Sequence, residues 1–98
     1  MSFEYKILIN READNELLEH IHSSLKNIDN FKEVVVNNGS VYVPNSLSAE
    51  WGVLASVSKE GKALFISTIL NRPERNLFLD CVTTSLEKLN YSFEIEEE

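Results

Sequence analysis

Ninety-eight residues, 43% of them hydrophobic, suffice for one packed core but not two, and the composition argues against a disordered chain. Nine Lys and Arg against sixteen Asp and Glu leave a net charge of −7. That field repels nucleic acid and anionic membrane surfaces, and it suits either simple solubility or a basic partner.

Phe3, Tyr5, Ile7 and Ile9 alternate with Glu4, Lys6 and Leu8, the period of a half-buried first strand. Asn10 reads as an N-cap, with Glu12 and Asp14 in a helix reaching Asn27 or Ile28. Leu17, Leu18, Ile21, Leu25 and Ile28 form its apolar stripe, and Glu12, Glu16, Glu19 and Ser23 lie opposite. Phe31–Val36 opens a strand, and Asn37-Asn38-Gly39-Ser40 is a tight turn because Asn and Gly accept positive φ. Val41-Tyr42-Val43 returns as a short strand that lies at an edge or ends at Pro44, which has no amide donor. Pro44–Ser48 is the loop-like stretch.

Glu50–Leu70 is the most continuously apolar segment and reads as a central hairpin around Ser58–Lys62. Trp51, Val53, Ala55 and Val57 share one face of its first strand. Both faces of the second, Ala63–Leu70, are largely apolar, so a sheet with helices on one side needs something on its other face. Asn71, Pro73 and Glu74 agree on a helix start. Leu77, Phe78, Leu79, Cys81, Val82, Leu86 and Leu89 spread over more than half its circumference, predicting a more enclosed helix than the first. Asn90 closes it in a left-handed conformation. Tyr91, Phe93 and Ile95 alternate in a last strand, and Glu96-Glu97-Glu98 forms an acidic tail. The order is β-α-β-β-β-β-α-β: an α+β domain over residues 1–98, a mostly antiparallel sheet of five to six strands with two helices on one face. Whether the first and last strands are neighbours is left open.

Chemistry is hard to find. His20 and His22 are two apart on a helix, about 200° around it, and cannot share a metal ion. Cys81 falls in an apolar arc, where thiols are inert, and one cysteine makes no internal disulfide. Together with the charged residues Glu4 and Lys6 near the start, which are incompatible with a signal peptide, this predicts a cytoplasmic protein. No apolar run approaches the roughly 20 residues of a membrane span. There is no G-x-S-x-G and no phosphate-cradling glycine loop, and Lys59/Lys62 and Arg72/Arg75 are two isolated basic pairs. We therefore expect no enzyme, no cofactor and no nucleic-acid site.

The remaining signal is surface. Glu12, Glu16 and Glu19 repeat along the wet side of the first helix, with no Lys or Arg one turn from Glu16 or Glu19. Such a row reads as a solvated face or as a docking ridge for a cationic partner. Trp51, Tyr42 and Tyr91 are aromatic anchors wherever they are exposed, although Trp51 suits a core. With Glu94, Glu96, Glu97, Glu98 and the single Cys81, this compact acidic chain resembles the immunity proteins of bacterial contact-dependent and other interbacterial toxin systems. The resemblance implies a cytoplasmic protein that binds and blocks a cognate toxin, often a basic nuclease. Type III secretion chaperones are also small, acidic and α+β, and they imply a homodimer; this chain lacks their third helix. A small ligand-binding domain is the third alternative, and monomer or homodimer remains open.

Overall fold

The computed structural model describes residues 2–31, 33–44 and 53–97. In chain order the elements are β1 (Phe3–Ile9), α1 (Asn15–Lys26), β2 (Val35–Asn37), β3 (Ser40–Pro44), β4 (Val53–Glu60), β5 (Ala63–Thr68), α2 (Arg72–Lys88) and β6 (Phe93–Glu97). The strands make one antiparallel sheet in the order β2-β3-β4-β5-β1-β6, so the first and last strands are neighbours.

This order explains why both helices share a face. In an antiparallel sheet β1 and β2 run parallel to each other, as do β5 and β6, so α1 and α2 are crossovers between parallel strands. The two crossovers start from strands of opposite direction and travel in opposite senses across the sheet. Right-handedness of both therefore puts both on one side. Leu17, Leu18, Ile21 and Leu25 of α1 and Phe78, Val82 and Leu86 of α2 join Ile7, Val41, Val57, Leu64 and Ile66 in a single buried cluster. Among the described residues no helix is long and apolar enough to cross a membrane.

The local turn chemistry behaves as the sequence predicts. Asn38 and Gly39 take φ of 45° and 83° between the paired residues Asn37 and Ser40. Gly61, at φ 57°, opens the two-residue turn between Glu60 and Ala63. Asn71 caps α2 by accepting from the Glu74 amide at 3.1 Å, and its own side-chain amide donates to the Glu74 carboxylate at 3.0 Å. At the other end Asn90 takes φ 64°, while the amides of Asn90 and Tyr91 donate to the carbonyls of Glu87 and Leu86. That pair of bonds is a Schellman motif, which satisfies carbonyls the helix end would leave unpaired.

Four expectations change. The first helix begins at Asn15, because Asp14 accepts from the Leu17 amide at 2.9 Å and is the true N-cap. Asn10 is occupied elsewhere: its side-chain oxygen accepts from the Ser92 amide, and its amide donates to the Ser92 carbonyl. The strand expected over Phe31–Val36 is only Val35–Asn37, with Phe31 and Val34 buried ahead of it. Glu96 and Glu97 are not a tail; they pair with Lys6 and Tyr5 in β6. Finally, α2 is no more enclosed than α1, since each buries four residues and Leu77 stands exposed. Of the residues expected to share one face of β4, Ala55 and Val57 are buried and Val53 is exposed, while Trp51 and the stretch following Pro44 lie outside the described residues.

Candidate protein-binding surface

Because Tyr5, Ile7 and Ile9 point at the helices, the pleat turns Glu4, Lys6 and Leu8 to the opposite face. The ladder then fixes which residues of the other strands stand beside them. One cross-strand row runs Ser40, Ser58, Phe65, Lys6, Glu96, and the next runs Val35, Tyr42, Ser56, Ser67, Glu4. A third runs Glu60, Ala63, Leu8, Glu94. Among the described residues no helix covers this face. It is hydroxyl-rich and aromatic toward β3 and β4, and it becomes acidic toward β1 and β6.

Within it, Glu4, Ser56, Ser58, Phe65 and Ser67 line a hollow of about 210 Å³. Its origin is steric: three serines stand next to the larger Phe65 and Tyr42, and the short side chains leave a depression. The Ser40 and Ser58 hydroxyls are bonded to each other at 2.8 Å. The Lys6 ammonium sits 5.6 Å from the Phe65 ring centroid, within cation–π range and worth about 0.5–1 kcal/mol at an exposed site. Glu94, Glu96 and Glu97 also line the outer strand of the sheet, where charge discourages unwanted edge pairing.

The residues singled out from the sequence do not assemble into one site. Glu12 leaves the row, since it lies in the segment before α1. Glu16 and Glu19 remain exposed on α1. Glu16 is not isolated from cations, because it shares a hollow of about 280 Å³ with Arg11 and Lys88, which come from other segments. Tyr42 is half-buried on the uncovered sheet face. Trp51 lies outside the described residues. Tyr91 is no surface anchor: it is buried under the guanidinium of Arg11, which lies 3.9 Å from its ring centroid and donates to the Leu89 carbonyl at 2.6 Å.

Both histidines of α1 have structural partners. The Ser85 hydroxyl donates to the Cys81 carbonyl at 2.8 Å, so it must accept from the Nδ1–H of His20, 2.9 Å away. His22 donates from Nε2 to the Val34 carbonyl at 3.0 Å. The two rings therefore point to different neighbours, α2 and the segment before β2. Cys81 lines a notch of about 180 Å³ with Ile28 and Leu77, and burial, then the charge of Asp80, pushes its thiol above the usual 9.0. A raised pKa leaves little thiolate for nucleophilic attack.

The buried Tyr91 hydroxyl lies beside Asp14 but makes no hydrogen bond of good geometry. Burial, then the negative charge of Asp14, raises its pKa above 10.0, with Arg11 opposing. The folded protein thus holds this proton more tightly than the unfolded chain does. The resulting stability is intact below pH 10 and is lost as pH climbs past it toward the folded value. Tyr91→Phe is expected to be neutral or stabilising by about 1 kcal/mol at pH 7, because an unmet buried hydroxyl is costly. It should also flatten the loss of stability above pH 10. Urea titrations of both proteins across that range check this, and a destabilised variant would mean that the hydroxyl is satisfied.

No family model matches this chain, no curated protein matches its sequence, and no solved structure matches its fold.

Proposed function

We propose that this chain is a protein-binding domain that captures and neutralises a cationic protein, in the manner of the immunity proteins it resembles. The observation that carries this reading is the sheet face left uncovered by both helices. There, the row containing Tyr42 runs into the carboxylate of Glu4 and the row containing Phe65 into that of Glu96, with Glu94 ending the row beside it. Aromatic side chains supply desolvated contact area, and a flanking field of one sign speeds encounter with a partner of the other. With Glu60 added, four carboxylates of the face stand against Lys6, so a basic surface is favoured over an acidic one. Blocking a toxin's active cleft requires only such a face, with no chemistry from the domain itself.

A homodimer through the same face is the second reading, favoured by the apolar groups Leu8 and Phe65 upon it. It would bring the carboxylates of two copies together at one interface, which is repulsive. Sedimentation of the isolated domain separates the two, because only the homodimer reading predicts a stable dimer.

The direct experiment is capture from the native cell with the wild-type domain and, in parallel, with Glu4, Glu94 and Glu96 all changed to lysine. The expected result is a protein of high isoelectric point held by the wild type alone, whose toxicity the added domain suppresses. An acidic partner, or equal retention by the triple variant, overturns the proposal.

A further inference from the structure

We infer that the hollow on the uncovered face is a receptor for one arginine side chain of the partner, with Phe65 as stacking surface and Glu4 as counter-ion. This inference rests on the cationic-partner reading and gives it a specific contact. A guanidinium is planar, permanently charged and lined with donors, so its receptor needs a flat π surface, a carboxylate and further oxygen acceptors. The hollow is lined by residues that carry these groups: Phe65, Glu4, Ser56, Ser67 and Ser58, whose hydroxyl also bonds that of Ser40. They come from three neighbouring strands, β1, β4 and β5, whose pairing holds them in register: Glu4 opposite Ser67, Ser67 opposite Ser56, and Phe65 opposite Ser58.

Lys6 already demonstrates the ring's attraction for a cation, and it sits at the ring's far side from Ser58 in the same row, next to Glu96. An incoming arginine would share Phe65 with Lys6 and be repelled by it. Lys6 is therefore a built-in competitor, and removing its charge should strengthen binding rather than weaken it. A purely architectural role for these residues predicts no such gain.

The test is a nuclear magnetic resonance titration of the whole 15N-labelled domain with acetyl-arginine amide, using acetyl-citrulline amide as the uncharged control of the same shape. Saturable amide shifts are expected around Glu4, Ser56, Phe65 and Ser67 with arginine and not with citrulline, at affinities of about millimolar for so small a probe. Glu4→Gln should weaken binding about fivefold, the scale of an exposed ion pair, and Lys6→Gln should strengthen it about twofold. Both positions lie on the surface, so the spectra of the variants themselves report an intact fold. Phe65→Leu should weaken binding while keeping an apolar side chain in place.

Shifts that do not saturate, equal response to citrulline, or indifference to both Glu4→Gln and Lys6→Gln overturn the inference. Arginine-dependent shifts centred on Glu16 and Glu19 would remove this hollow while leaving the cationic-partner reading standing. An acidic protein in the capture experiment would remove that reading whatever the probe does here.

Discussion

Phe78→Ala is expected to cost about 3–5 kcal/mol, the range for deleting a buried aromatic ring from a packed core. Phe78 is fully buried, and its ring meets that of Phe31 edge-on, with centroids 6.2 Å apart and planes at 89°. Phe31 belongs to the segment between α1 and β2, so the pair ties α2 to the returning chain. For a domain of this size the loss corresponds to a fall of about 15–30 °C in Tm, a large share of the roughly 5–15 kcal/mol that holds such domains together. The control is one residue away: Leu77, on the same helix, is exposed, and Leu77→Ala should cost no more than about 1 kcal/mol. Thermal and urea denaturation of the two variants decide it. Equal losses would mean that α2 packs through a different face.

Changing Glu4, Glu94 and Glu96 together to glutamine should slow association with the captured partner about tenfold or more at low salt. The difference should shrink as salt shortens the screening length from about 10 Å at 0.1 M toward about 3 Å at 1 M. Stopped-flow mixing over a range of salt measures both effects. Changing Glu16 and Glu19 to glutamine should slow association less, because they lie on α1, which packs against the sheet's other face, and Arg11 and Lys88 share Glu16's hollow. If the α1 pair has the larger effect, the docking surface is the helix and not the sheet. Sedimentation of the triple variant belongs beside the kinetics, since Glu94 and Glu96 guard the β6 edge and their loss opens it to self-pairing.

What the sequence determined by itself was local. The number and order of elements, the Asn38-Gly39 turn, the Asn71–Glu74 cap and the left-handed Asn90 all depend on residues within a few positions of one another. Backbone stereochemistry and hydrogen bonding at that range leave little choice. The alternating apolar residues of β1 likewise announced which of its faces would be buried.

Tertiary structure decided everything that turns on register and strand order. Asn10 and Asp14 are both acceptable caps, and the choice fell to Asp14 because Asn10 bonds Ser92, 82 residues away. That one pairing takes Glu12 out of the helix and dissolves the three-carboxylate ridge. The same neighbourhood of β1 and β6 turns a glutamate tail into a paired strand. Arg11 and Lys88 line the same hollow as Glu16 from outside its own helix, a proximity that spacing along the helix does not reveal. The candidate site was hardest to read, since Glu4, Ser56, Phe65 and Ser67 share no local motif and meet only through the ladder of β4, β5 and β1. The doubly apolar second strand of the hairpin was the one feature of that face legible in the sequence.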